Sequence, residues 1–266
     1  MILNIINANL AGLASTFLSV MAFILVCSAL RKRSTKLGLA LLLLFTLLSI
    51  PSLLFTIYYF HILPETAWFY TLRSWQGSEF LAIFVGCAGG SAAALLPRFL
   101  EAFPLFAVIL IAVFPYVKPL MSPLPSDGFK DHWKNNICYQ STGLTCGPAS
   151  VCTILKHLGV DATEREVARK SFTSGGGTEA WYLARFARSK GFVAKFDFRK
   201  TYSPDVPLPA LVGVRLGGLG HFIAVLANEG GTIIYSDPIS GLERMPVSQF
   251  QKRYTFTGFH MIITRD

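Results

Sequence analysis

The chain has 266 residues, of which 52% are hydrophobic and only 15% are charged, with a formal net charge of +9 at pH 7. Soluble domains carry about 25% charged residues, so this composition excludes a protein that is soluble over its whole length. Basic and acidic residues are interleaved along the second half, which is typical of a solvated surface, and we expect no nucleic-acid partner.

Long apolar segments fill the first half of the chain. Residues 1–30 contain no charged residue, and about 20 apolar residues are enough to span a bilayer as a helix. We predict an all-α transmembrane domain of about four helices, over residues 7–30, 37–60, 80–96 and 99–117. Pro104 and Pro115 interrupt the last of these segments, so three spans stay open as an alternative.

A basic cluster separates the first two apolar segments and consists of Arg31, Lys32, Arg33 and Lys36. Basic loops favour the cytoplasmic side of a membrane. With this loop in the cytoplasm, four spans place the C-terminal half outside the cytoplasm, and three spans place it inside. We expect an integral protein of the bacterial inner (cytoplasmic) membrane whose C-terminal domain is extracytoplasmic, with the lipid bilayer as a partner.

The composition becomes that of an ordinary globular domain after residue 117. Turn-forming residues follow at once, among them Pro119, Pro123, Pro125 and Asp127. These changes predict a transmembrane domain over residues 1–117, a linker over residues 118–135 and a globular domain over residues 136–266.

Helical patterns precede strand patterns in the globular domain. Apolar residues recur at helical spacing from residue 146 to 158, a capping box of Thr163 and Glu166 starts a second helix, and a third helix runs over residues 178–190. Strand-like segments follow over residues 192–198, 209–215, 221–227, 232–236 and 256–264, with a short helix over residues 246–254. This order predicts an α+β domain with an antiparallel sheet.

Cys146 lies at the start of the first helix of this domain. The free N–H groups and the dipole there favour an anion, and therefore the thiolate form, which is the nucleophile. The Cys146 backbone N–H and the Gln140 side-chain amide are candidate donors to an oxyanion. Gly147 lets a substrate backbone come close.

A nucleophilic thiol needs a base and a group that orients the base. His221 opens an apolar strand after the glycine-rich residues 217–220, and Asp237 ends the next strand. A turn at residues 230–231 joins the two strands and brings these side chains together. A lone cysteine at a helix start is more often structural, so the hypothesis depends on the whole set of Gln140, Cys146, His221 and Asp237.

Residues 136–264 resemble the papain-like cysteine peptidases of family 39, which process bacteriocin leader peptides. The resemblance is carried by Gln140 and by the segments Cys146-Gly147-Pro148, Gly220-His221-Phe222 and Asp237-Pro238. It implies Cys146 as nucleophile, His221 as general base and acid, Asp237 as orienting group and Gln140 in the oxyanion hole.

Two features depart from the family pattern. Leader-processing members usually have an acidic residue before the cysteine, where this chain has Thr145, and the related exporters carry an ATPase. The sequence has no Gly-x-x-x-x-Gly-Lys-Ser/Thr loop. We therefore expect a membrane-anchored peptidase that processes a peptide or protein precursor, with a separate transporter or secretion protein as a candidate partner.

Two other functions use the same domain. An acyl-transferase keeps the same residues and passes the acyl group to an amine, and a non-catalytic peptide-binding domain keeps only the fold. The cysteines form no Cys-x-x-Cys pair, so we expect no metal and no cofactor. A disulfide between Cys138 and Cys152 stays open if the domain is extracytoplasmic.

Overall fold

The computed structural model describes residues 8–124 and 128–265. Residue 7 of the first predicted span and the linker residues Pro125 and Asp127 lie outside the described residues. Two compact units are formed. The helical unit holds residues 8–64 and 76–121, and the other unit holds residues 65–75 together with the chain from residue 122 onward.

Apolar helices build the helical unit. They are α1 (Leu10–Leu30), α2 (Thr35–Ile57), α4 (Ile83–Leu95), α5 (Ala102–Val113) and the short α6 (Lys118–Met121), while α3 (Ala67–Arg73) lies in the other unit. Within residues 8–124 and 128–265, and with the 3-10 turns at their ends included, four helices are long and apolar enough to cross a membrane: Leu10–Leu30, Thr35–Phe60, Ser78–Leu95 and Arg98–Tyr116. The predicted N-terminal region of about four apolar helices is confirmed.

Helices α1 and α4 approach closely because two glycines of α4 face the backbone of α1. A Cβ atom on Gly86 would lie 2.0 Å from the Ser19 carbonyl oxygen, and one on Gly90 would lie 2.5 Å from the Phe23 carbonyl oxygen. Small residues at a helix interface allow this distance between backbones, as the glycine-rich segment predicts.

The second unit has the predicted α+β order. Its helices after α3 are α7 (Cys146–His157), α8 (Glu164–Lys170), α9 (Ala180–Ser189) and α10 (Val247–Arg253). Its strands are β1 (His132–Lys134), β2 (Ile137–Tyr139), β3 (Val193–Phe198), β4 (Ala210–Leu216), β5 (Leu219–Glu229), β6 (Thr232–Asp237), β7 (Gly241–Pro246) and β8 (Thr255–Thr264). Strands β1 and β2 form a hairpin, and the other six form an antiparallel sheet in the order β3-β8-β4-β5-β6-β7.

Several elements differ from the predicted ones. Four short elements of three to seven residues were not predicted: α3, β1, β2 and β7. Helix α9 begins at Ala180 rather than at Thr178, because the Thr178 hydroxyl is hydrogen-bonded to the Thr173 hydroxyl at 2.7 Å instead of capping the helix.

A buried apolar cluster supports the sheet under strands β4, β5 and β6. Its members include Val212, Ile223, Val225, Tyr235 and Phe250, each with no exposed surface. Because such a core is close-packed, it fixes the ends of β5 and β6 relative to each other. These strand ends carry His221 and Asp237.

Candidate active site

Cys146 is the first residue of α7 and is half-buried. The preceding loop is closed by the fully buried Thr145, whose hydroxyl accepts a hydrogen bond from the Thr142 N–H at 3.1 Å and donates to the Thr142 carbonyl at 3.1 Å. The residue that departs from the family pattern therefore fixes the conformation of the loop before the thiol.

A second contact anchors the same loop to α8. Glu164, the fully buried first residue of α8, accepts a hydrogen bond from the Ser141 N–H at 2.7 Å and another from the Ser141 hydroxyl. Buried carboxylates need such partners, so the loop and the start of α8 hold each other in place. The sequence analysis did not identify this role of Glu164.

Helix α7 is also fixed to β5, beside His221. The Ser150 hydroxyl, one turn after Cys146, donates to the Phe222 carbonyl at 3.1 Å. A Cβ atom on Gly147 would lie 2.9 Å from Leu183 Cδ1 and 3.2 Å from Phe222 Cδ2. The small size of Gly147 therefore serves helix packing, a reason different from the expected approach of a substrate.

His221 and Asp237 are brought together at the ends of β5 and β6. His221 Nε2 lies 2.9 Å from Asp237 Oδ1, and both side chains are 6% exposed. Asp237 Oδ1 also accepts from the Ile239 N–H at 2.9 Å, and Oδ2 accepts from the Tyr254 hydroxyl at 2.9 Å. The carboxylate is therefore held from three sides.

The His221 ring interacts with the Cys146 thiol as well as with Asp237. Because Nε2 binds Asp237, Nδ1 is the ring nitrogen left for the thiol. Burial favours the neutral ring, but hydrogen bonds with Asp237 and Cys146, together with their charges, raise the pKa of His221 to about 9. Burial likewise opposes the Asp237 carboxylate, yet the bonds from His221, Ile239 and Tyr254 hold the pKa of Asp237 below its usual value.

Gln140 lies at the end of β2, next to the loop that follows Asp237. Its backbone N–H donates to the Pro238 carbonyl at 3.0 Å. Its side-chain Oε1 is buried and accepts no hydrogen bond within the described part of the chain. No hydrogen bond accepted by Oε1 therefore fixes the orientation of the Gln140 amide group within the described residues.

His221 thus contacts Asp237 and interacts with Cys146, and Gln140 is connected to Asp237 through Pro238. Tyr254, Ser150 and Glu164 were not predicted as part of the site, because their partners are distant in sequence. Cys138 and Cys152 are fully buried free thiols, and burial raises the pKa of Cys152.

This half of the chain is similar in sequence to known proteins. The model of the Peptidase C39 family matches residues 134–266, which is half of the chain. An uncharacterized protein of Methanothermobacter marburgensis is 35% identical over 130 residues, which cover 49% of this chain and 89% of that protein.

More distant similarity extends to proteins of named function. The lactococcin-G-processing and transport ATP-binding protein LagD of Lactococcus lactis is 30% identical over 123 residues, covering 45% of this chain and only 18% of LagD. The crystal structure of the peptidase domain of Streptococcus ComA, a bi-functional ABC transporter, is 24% identical with a TM-score of 0.41, covering 48% of this chain and 96% of that domain.

The family match over half of the chain defines a C39 peptidase domain with the papain-like fold. The chain belongs to the Peptidase C39 family.

Proposed function

We propose that the protein is a membrane-anchored cysteine peptidase that hydrolyses peptide bonds with Cys146, His221 and Asp237. The observation that carries the proposal is the 2.9 Å contact between the His221 ring and the buried Asp237 carboxylate, with the Cys146 thiol close enough to the same ring to raise its pKa. A nucleophile, a base and an orienting group within hydrogen-bonding distance are the arrangement that acyl transfer requires.

The proposed reaction starts from a Cys146 thiolate beside the charged His221 ring, a pair formed when the thiol proton passes to the ring. The thiolate attacks the substrate carbonyl carbon, and the negative charge that develops on the carbonyl oxygen is stabilised by the Cys146 N–H and the Gln140 side-chain amide. The tetrahedral intermediate collapses as His221 protonates the leaving amine. His221 then takes a proton from water, which hydrolyses the thioester and frees Cys146.

The proposed substrate is a peptide or protein precursor. LagD is a processing and transport protein by its name, which supports a role in processing before or during export. We further propose that a transporter or secretion protein handles the product, since LagD combines processing with transport by its name.

Replacement of the nucleophile tests the proposed activity. Cys146→Ala should abolish processing, so that precursors accumulate uncleaved when the peptides of cells with the wild-type and variant proteins are compared by mass spectrometry. Cys87→Ala, in α4, is the matched control and should leave the peptide profile unchanged. Identical profiles for Cys146→Ala and wild-type cells would contradict the proposal.

We further propose that the four apolar helices span the cytoplasmic membrane and that the C39 domain is extracytoplasmic. The basic cluster after α1 supports this orientation. Arg31 of this cluster pairs with Glu101 before α5, which supports a common side for the end of α1 and the start of α5. In a Cys146→Ser protein, Arg33→Cys should react with a membrane-impermeant maleimide only after lysis, and Ser248→Cys in intact cells. The reverse pattern would overturn the orientation.

A further inference from the structure

Residues 65–75 connect the second and third apolar helices, yet they pack with the C39 domain. We infer that this segment is a docked part of the peptidase unit, and that the docking requires α4 and α5 to cross the membrane together rather than one without the other. In this arrangement the peptidase unit is discontinuous in sequence and holds residues 65–75 as well as the family-matched chain.

Tyr70 is the centre of the docked segment and is only 4% exposed. Its ring lies 5.1 Å from Phe198, 5.5 Å from Trp181 and 5.5 Å from Phe259, measured between ring centroids. Aromatic side chains in such contacts contribute strongly to burial. Without α3, these rings of α9, β3 and β8 lose the partner that covers them.

Arg73 gives the second anchor and is 1% exposed. Its guanidinium carbon lies 5.5 Å from the Trp181 ring centroid and 5.9 Å from the Tyr182 ring centroid, and Nη2 donates to the Tyr182 hydroxyl at 3.4 Å. A guanidinium removed from water needs such partners, because burying an unpaired charge is costly. Arg73 thus fits this site on α9 specifically.

Two arginines of α9, in the C39 domain, donate hydrogen bonds to the end of α3. Arg185 Nη2 donates to the Arg73 carbonyl at 2.9 Å and to the Trp75 carbonyl at 2.7 Å. Arg188 Nη1 donates to the Ser74 carbonyl at 3.0 Å and to its hydroxyl at 2.8 Å. Carbonyls at the end of α3 lack helical partners, so these bonds satisfy both groups.

Membrane topology follows from this docking. Residues 65–75 and residues 122–265 must lie on the same side of the membrane, because they form one packed unit. The chain between them contains α4 and α5, so it crosses the membrane an even number of times. Three spans, with α5 outside the bilayer, would separate the two parts of the unit. Since α4 and α5 are both apolar enough to cross, four spans are the arrangement compatible with docking.

The docked segment also supports the proposed active site through α9. Leu183 of α9 packs against Gly147, the neighbour of Cys146, while Trp181 and Tyr182 of the same helix contact α3. Loss of α3 should therefore make α9, which packs beside Cys146, more mobile. This consequence for activity depends on the proposed function, whereas the docking and the span number do not.

Cysteine labelling of the full chain tests the topology. In a Cys146→Ser protein, Trp68→Cys on the exposed side of α3 and Ser248→Cys on α10 should both react with an impermeant maleimide from one side of the membrane. Arg33→Cys should react from the other side. Labelling of Trp68→Cys and Ser248→Cys from opposite sides would overturn the inference.

A double-mutant cycle tests the docking itself in the detergent-solubilised full chain. Tyr70→Ala and Phe198→Ala should each speed proteolysis of the C39 unit about tenfold or more, and the double variant should add little to either. Trp68→Ala, which removes an exposed ring of the same helix, should match the wild type. Strictly multiplicative effects of the two alanine variants would refute the contact.

These measurements use the Cys146→Ser protein and need no peptidase activity. Coupled effects and same-side labelling in a chain whose wild-type form cleaves nothing would therefore reject the proposed function and leave the docking intact. Additive effects in a chain that cleaves its precursor would reject the docking alone.

Discussion

His221 Nε2 and Asp237 Oδ1 lie 2.9 Å apart, between side chains that are each 6% exposed. The bond leaves Nδ1 for the Cys146 thiol and places the carboxylate where it stabilises a charged imidazole ring. Because both groups are buried, the interaction is screened little by solvent. The orientation of the ring and its proton affinity therefore have the same origin.

Asp237→Asn should lower kcat by about 10²-fold or more, because the neutral amide removes the charge that stabilises the imidazolium. The measurement is the steady-state rate of cleavage of the identified precursor peptide. Asp205→Asn is the matched control, since Asp205 pairs with Arg199 on the surface. An unchanged kcat in Asp237→Asn would show that His221 needs no carboxylate.

The raised pKa of His221 predicts an alkaline limit of activity near pH 9. The charged ring donates the proton to the leaving amine, and it is lost as the pH rises through the folded-state pKa of about 9. The same shift stabilises the fold fully below the ordinary value of 6.5, and this stabilisation disappears as the pH rises towards 9. A pH profile of kcat should show the limit, and Asp237→Asn should move it to lower pH.

Much of the fold was predictable because its patterns are local. The α+β order follows from apolar spacing and from turn residues, as do the four apolar helices. Helix α3 was not predictable in the same way, since it has seven residues and no apolar period of its own. Tyr70 is covered by Phe198 and Phe259, which are far away in sequence.

The same distinction applies to the candidate site. Cys146, His221 and Asp237 each lie at an element boundary, and the sequence predicts boundaries well enough to propose that they meet. The hydrogen bonds that position these residues connect different elements. The Ser150 hydroxyl of α7 donates to the Phe222 carbonyl of β5, and the Tyr254 hydroxyl donates to the Asp237 carboxylate at the end of β6. Nothing in the local sequence around Ser150 or Tyr254 indicates these partners.

Gln140→Ala should reduce kcat by about 10²- to 10³-fold, because it removes a donor to the oxyanion. The rate of Cys146 alkylation by iodoacetamide should stay unchanged, since Gln140 does not take part in the contact between thiol and imidazole. Gln251→Ala, which removes a bond to the Tyr202 carbonyl away from the site, should leave kcat unchanged. A parallel loss of alkylation and kcat in Gln140→Ala would indicate a structural role instead.

Ser150→Ala should lower kcat several-fold without a matching change in KM, because its bond to the Phe222 carbonyl holds α7 against the strand of His221. Loss of a single such bond costs about 1 kcal/mol in the free energy of unfolding. Ser189→Ala is the matched control, since its hydroxyl donates to the Phe186 carbonyl at 2.7 Å at the end of α9. Because Ser189 is exposed, its variant should lose less stability than Ser150→Ala and keep its kcat, and equal kcat values in the two variants would exclude a positioning role for Ser150.

Tyr254→Phe removes the hydrogen bond to Asp237 Oδ2 and keeps the buried ring. Burial and the charge of Asp237 raise the pKa of Tyr254 to about 12, so the hydroxyl is a donor over the working pH range. Because this bond helps to hold the pKa of Asp237 down, its loss should move the acid limit of activity to higher pH. A hydrogen bond to a charged group contributes about 1.5–3 kcal/mol, so the unfolding free energy should fall by about that amount.

Tyr202→Phe is the control for the same chemical change in the same core. The Tyr202 hydroxyl is buried with no hydrogen-bond partner among residues 8–124 and 128–265, so its removal should leave stability equal or higher and the pH profile unmoved. A matching shift in both variants would show that ring repacking, rather than the bond to Asp237, sets the acid limit. A shift confined to Tyr254→Phe makes Tyr254 the residue that orients the carboxylate, and through it the ring of His221.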